Sequence, residues 1–210
     1  VSSGRLRSSL SALRGFNARL YLAGQSLSFI GSFVQTFAQA WLVLGISNNR
    51  TSLPLTIALQ TIPLLLFGTW GGSVADRFDN RRLLIITTVL DAAAATGLAV
   101  LVQRGGLQVG TVYLFAFVTG CISVVERPAM QAILSEIAQP DEIASAIGLN
   151  AMVQPMARLL GPPIASLLIA TVGMAACFYV NAASFFLVLI ALLLLRTHEM
   201  RDRARIVHRA

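Results

Sequence analysis

The sequence specifies an all-α integral membrane protein, a bundle of six transmembrane helices. Three observations predict this class. Hydrophobic residues fill 56% of the 210 positions and charged residues only 12%, about half the charge of an ordinary soluble domain. Mean hydropathy is +0.74. Six apolar runs each reach the roughly 20 residues needed to cross about 30 Å of hydrocarbon. Strands of a membrane barrel alternate apolar and polar residues. Unbroken runs such as Phe185-Phe186-Leu187-Val188-Leu189-Ile190 do not.

The runs cover 20–46, 53–75, 83–102, 109–138, 143–172 and 174–195. The first is too long for the apolar core of a signal peptide, and no small-x-small cleavage site follows it. No charge separates Arg158 from Arg196. One helix over that stretch would far exceed the bilayer thickness at about 1.5 Å per residue. The chain must turn there, and Gly173 is the expected turn. The amino-terminal stretch, with residues 1–19 as the segment, has Leu6, Leu10, Leu13, Asn17 and then Leu20 at helical spacing among arginines, as in an amphipathic segment lying on the cytoplasmic leaflet. Residues 20–195 form the six-helix domain, and 196–210 an Arg-rich cytoplasmic tail or linker. The chain begins with Val and stops just after the sixth helix, so it reads as a fragment or a short version of a longer protein.

Lys and Arg together number 16, all of them Arg. Arg5, Arg7, Arg14 and Arg19 precede the first run, Arg77, Arg81 and Arg82 lie between the second and third, and Arg196, Arg201, Arg203, Arg205 and Arg209 follow the sixth. Arg50 and Arg104 fall on the other side. The positive-inside rule then places both termini in the cytoplasm. The net charge of +7 is not that of a nucleic-acid binder, because the arginines flank apolar runs instead of sharing a polar surface. Cys121 and Cys177 lie far apart in apolar stretches and support neither a disulfide framework nor a metal site. Both histidines, His198 and His208, are in the tail, and Walker-type phosphate loops are absent. No enzyme, metal or cofactor is expected.

Polar residues inside the runs carry the functional information, since each costs free energy unless it faces protein or water. Gln25, Ser28, Ser32, Gln35 and Gln39 are spaced three, four, three and four, so they share one helix face. They read either as a seam hydrogen-bonded to a neighbouring helix or as a wall of a water-filled substrate cavity. Asp91, Glu126, Arg127 and Arg158 sit at membrane depth with formal charges that cancel. They read as structural ion pairs, Asp91 and Arg127 lying at comparable depth, or as functional groups. In the functional case Asp91 or Glu126 would take up a proton and Arg127 or Arg158 would attract an anionic substrate. Arg keeps its proton and can organise charge without carrying protons. Ala157, Gly161 and Ala165 repeat every four residues, a stripe that lets helices approach closely. With Gly148 and Pro162 they form an expected helix-packing motif.

Between the second and third runs the sequence reads Gly71-Gly72-Ser73-Val74-Ala75-Asp76-Arg77-Phe78-Asp79-Asn80-Arg81-Arg82. This resembles the signature loop of the major facilitator superfamily, G-x-L-a-D-r-x-G-r-r in outline. Gly72, Ala75, Asp76, Arg77 and Arg81 match, whereas Asp79 replaces a glycine and Asn80 a basic residue. Gly24-Gln25-Ser26-Leu27-Ser28, Arg127-Pro128-Ala129-Met130-Gln131-Ala132 with Glu136, Arg158-Leu159-Leu160-Gly161-Pro162 and Phe178-Tyr179-Val180-Asn181-Ala182 resemble the branch holding the enterobactin-exporter-like and drug-efflux permeases. The resemblance implies one half of a twelve-helix fold, itself two inverted three-helix repeats. It implies that Asp76 docks on a carboxy-terminal six-helix half, supplied by the same full-length chain or a second subunit. Arg77 or Arg81 would pair with Glu136 as a conformational latch. Helices one and four would line the cavity, and two and five would meet the other half. The implied function is small-molecule export, of a siderophore or drug, by alternating access across the bacterial plasma membrane, driven by a proton gradient. A non-transporting scaffold or regulatory subunit and an importer of a small metabolite are the alternatives.

Overall fold

The computed structural model describes residues 15–47, 49–138 and 143–195. Residues 1–14 of the expected 1–19 surface segment and the tail after Leu195 lie outside these, and Phe16–Arg19 belong to the first helix. Six helices run through the described residues: α1 (Phe16–Ile46), α2 (Ser52–Arg77), α3 (Asn80–Arg104), α4 (Val109–Ile137), α5 (Ile143–Thr171) and α6 (Met174–Leu194). Each is long and apolar enough to cross a membrane.

Local chemistry sets the boundaries. Asp79 caps α3, its carboxylate accepting the Arg82 backbone N–H at 3.1 Å, which satisfies one of the donors a helix start leaves free. That is what the aspartate does in place of the expected glycine. The turn between α5 and α6 falls at Gly173, whose φ of +108° suits a residue without Cβ. Its N–H closes on the Leu168 carbonyl at 2.9 Å. Helix α1 starts before residue 20 because Asn17, Ala18 and Tyr21 are all buried against the bundle. Tertiary packing extends the helix beyond its apolar run.

Helix α1 lies against α5 and α6, α4 lies against α2 and α3, and α3 lies against α6. The packing order is therefore α5–α1–α6–α3–α4–α2. Exchanging α1, α2, α3 for α4, α5, α6 reproduces these pairings, the relation expected of two three-helix repeats. At the ends of the order, α2 and α5 are the least covered helices, and the central α3 and α6 the most covered. The closest approaches are made at glycines. A Cβ on Gly120 of α4 would lie 2.6 Å from the Gln60 carbonyl oxygen of α2, and one on Gly161 of α5 the same distance from Phe33 Cβ of α1.

The apolar core is split in two. One cluster joins Tyr21, Leu84, Ile133, Leu134, Val188 and Leu192 at the end of the bundle that carries the α2–α3 turn. The other joins Val34, Val43, Leu98, Val112, Cys177 and Phe178 toward the opposite end.

Candidate functional site

Between those clusters lies a layer of polar side chains at mid-height. Helix α1 contributes Gln25 and Ser28, α3 contributes Thr87, Thr88 and Asp91, and α6 contributes Asn181 and Ser184, all buried. Half-buried Glu126 joins from α4. Asp91 and Glu126 each stand eleven residues from a helix end (Asn80 to Asp91, Glu126 to Ile137), about 16 Å at 1.5 Å per residue. Both carboxyls therefore sit near the middle of a bilayer about 30 Å thick.

The polar stripe of α1 divides. Its central members form an interhelical seam. Asn181 Nδ2 of α6 donates to Gln35 Oε1 at 2.9 Å, and Ser32 Oγ donates to Asn181 Oδ1 at 3.4 Å. Ser184 Oγ donates to the Asn181 carbonyl at 2.7 Å. Gly31 makes room for this group, because a Cβ there would come within 2.8 Å of Asn181 Oδ1. At the end nearer the α2–α3 turn, Gln25 faces α4 and donates to the Met130 sulfur at 3.6 Å. Ser28 and Gln39 are buried, and Gln39 Nε2 has no hydrogen-bond partner among the described residues. Ser32 and Gln35 thus meet a neighbouring helix.

Of the two readings of the membrane-depth charges, the ion-pair one finds no salt bridge among the described residues. Among the described residues the salt bridge the structure forms is Arg82 with Asp79, at 3.7 Å on the surface; Asp91 and Arg127 form none. The acids and the bases are separated by exposure. Asp91 is 7% exposed and has Glu126 as its charged neighbour. Glu126 also acts on Tyr21, whose hydroxyl is buried without a hydrogen-bond partner. Arg127 and Arg158 are both exposed. A charged residue at the centre of a membrane helix costs about 2.5–3.5 kcal/mol on an insertion scale, so each of these guanidinium groups calls for water or protein beside it.

At the α2–α3 turn Asn80 donates to Glu136 Oε1 at 2.7 Å. Arg81 turns to α6, its Nε donating to the Leu192 carbonyl at 2.8 Å and its Nη2 to the Leu193 carbonyl at 3.0 Å. The physical reason is that the last carbonyls of α6 lack intrahelical partners and carry the negative end of the helix dipole. Asp76 and Arg77 are exposed beside them.

The family described as transmembrane secretion effector, MFS_3, matches residues 7–206. The chain belongs to this family. It is 26% identical over 170 residues to the staphyloferrin A transporter of Staphylococcus aureus, covering 80% of this chain and 43% of that one. It is 21% identical over 183 residues to macrolide efflux protein A of Streptococcus pyogenes, covering 87% and 45%. It is 25% identical over 182 residues to the multidrug efflux pump Tap of Mycobacterium bovis, covering 83% and 43%. The chain spans less than half the length of these curated relatives. The MFS_3 family and its relatives are bacterial multi-pass transporters, not enzymes.

Other residues of the MFS_3 chain fall unevenly on the expectations. Ala157, Gly161 and Ala165 are buried toward α1 and Pro162 is half-buried, whereas Gly148 is exposed with nothing near a Cβ. Gly72 likewise has open space, and its neighbour Gly71 is the glycine pressed on the Val124 carbonyl of α4. The sequence reading missed Asn181, Ser184, Thr87, Thr88 and Tyr21 as parts of the polar layer. Asn181, a lone amide in the most apolar helix, was the signal that could have found it. A groove of about 310 Å³ between α3 and α6, lined by Thr88, Ala92, Phe185 and Leu189 among others, holds none of the charged groups. Among the described residues no three His, Cys, Asp or Glu side chains gather to hold a metal ion.

Proposed function

We propose that this chain forms one six-helix lobe of an efflux permease that exports small molecules by alternating access. The observation that carries the reading is the mid-height polar layer, with Asp91 and Glu126 inside it, between two separate apolar clusters. A binding or coupling site must lie where both sides of the membrane can reach it in turn, which is the midplane. Two independent cores above and below such a layer let it rehydrate without dissolving either. Asp91 or Glu126 is the proton-carrying group, since a carboxyl with no cation bound to it can exchange a proton. The sparsely covered α2 and α5 are where a second six-helix lobe packs, whether from the same full-length chain or a partner subunit. The arginine distribution sets both termini in the cytoplasm of a bacterial plasma membrane. The named relatives, which include a siderophore transporter and macrolide and multidrug efflux proteins, make a siderophore-like or drug-like cargo the working class.

The test is efflux from vesicles containing the intact protein, with an imposed pH gradient and a panel of fluorescent drugs and ferric-siderophore analogues. Gradient-driven movement of at least one, abolished in D91N or E126Q, is the expected result. A protein that moves none of them and tolerates both substitutions is a scaffold.

A further inference from the structure

Of the four charged residues at membrane depth, Arg127 and Arg158 are the exposed ones, whereas Asp91 is buried and Glu126 half-buried. Neither guanidinium has a hydrogen bond or ion pair with a described residue, and Arg127 interacts electrostatically with Glu126, its neighbour in sequence. Each arginine is ten or more residues inside its helix (Arg127 to Ile137, Ile143 to Arg158), at least about 15 Å from that end.

Each also has an exposed glutamine one turn away on the same face: Gln131 follows Arg127 on α4, and Gln154 precedes Arg158 on α5. In both cases the glutamine lies toward the end that carries the α2–α3 turn. Residues four apart are neighbours on a helix surface, so the two helices present similar guanidinium-plus-amide strips. A guanidinium offers a planar fork of donors that matches a carboxylate bidentately, and a glutamine amide adds a donor for a further oxygen. We propose that Arg127 with Gln131, and Arg158 with Gln154, form a recognition surface for a small molecule bearing carboxylates. The proposal deepens the transporter reading and rests on it, for it names the charge class of the cargo.

Citrate is the probe, titrated calorimetrically into the intact protein in nanodiscs of uncharged phosphatidylcholine, with tetraphenylphosphonium as the cationic counter-probe. Citrate should bind, more weakly as salt rises, and the phosphonium should not. R127Q and R158Q should each weaken citrate at least about tenfold, as expected for losing a charge-assisted pair. R127K and R158K, which keep the charge, should bind better than the glutamine variants, and R104Q at the end of α3 should match wild type. Absence of citrate binding, wild-type citrate affinity in R127Q and R158Q, or preference for the phosphonium overturns the proposal. Gradient-driven efflux without citrate binding removes only the anion preference. Arginine-dependent citrate binding without efflux of any cargo removes the transport reading and leaves the anion site.

Discussion

Asn80 at the first turn of α3 donates a 2.7 Å hydrogen bond to Glu136 near the end of α4. Next to it, Arg81 reaches the carbonyls that end α6. Two consecutive residues thus brace one helix start against the ends of two others. Asn80 is 2% exposed, so a substitution there cannot be repaired by water. Replacing Asn80 with Ala should cost about 1–3 kcal/mol, the range for a hydrogen bond to an ionisable partner plus an unsatisfied group. Thermal unfolding in detergent, followed by circular dichroism, reads the loss. An unchanged melting temperature in N80A means that the contact carries no stability.

The seam on α1 can be measured as a coupling. Asn181 donates to Gln35 and accepts from Ser32, so N181A should destabilise more than Q35A, which loses one bond. Interhelical hydrogen bonds in membranes average about 0.6 kcal/mol and reach about 1.7. A double-mutant cycle between Gln35 and Asn181 should return a coupling in that range. Additive losses mean that the two side chains do not stabilise each other.

Glycines in this chain divide by what stands next to them. Gly31 faces Asn181 Oδ1 and Ser184 Oγ, and Gly120 faces the Gln60 carbonyl. G31A and G120A should therefore each cost about 1–3 kcal/mol by overpacking. Gly72 has nothing within 4 Å, and G72A should be neutral or stabilise by up to about 1 kcal/mol through helix propensity. Melting temperatures of the three variants decide this. A G72A protein as unstable as G31A means that Gly72 is pressed by a surface beyond this lobe, as expected of a docking motif.

Which features were legible in the sequence follows from how local their causes are. Span number and the Gly173 turn were readable because bilayer thickness limits helix length and a positive φ favours glycine. The α1 stripe was readable from its spacing, but its partner was not: Asn181 is 146 residues from Gln35. Helical period gives a face and not what covers it. Asp91 and Arg127 stand at comparable depth yet form no salt bridge, for a related reason. Equal depth along two helices says nothing of rotation, and rotation turns Asp91 inward and Arg127 outward. Asn80 looked like a departure from a motif, yet it makes the contact with Glu136, because reach and burial at that turn decide which side chain arrives.

Asp91 separates stability from function. It is buried on α3 with no salt bridge among the described residues, and its ionisable neighbour is Glu126. Converting it to Asn keeps the shape and removes a carboxyl that must be held in a water-poor layer, which is costly without a compensating cation. D91N should therefore melt at or above the wild-type temperature, unlike N80A or G31A. The same substitution removes the proton-exchanging group, so efflux driven by a pH gradient should fall at least about tenfold while counterflow of cargo, which needs no net proton movement, persists. Melting curves and the two transport assays on one preparation check both halves. A D91N protein that loses stability places Asp91 in the framework, and one that keeps gradient-driven efflux assigns the proton to Glu126.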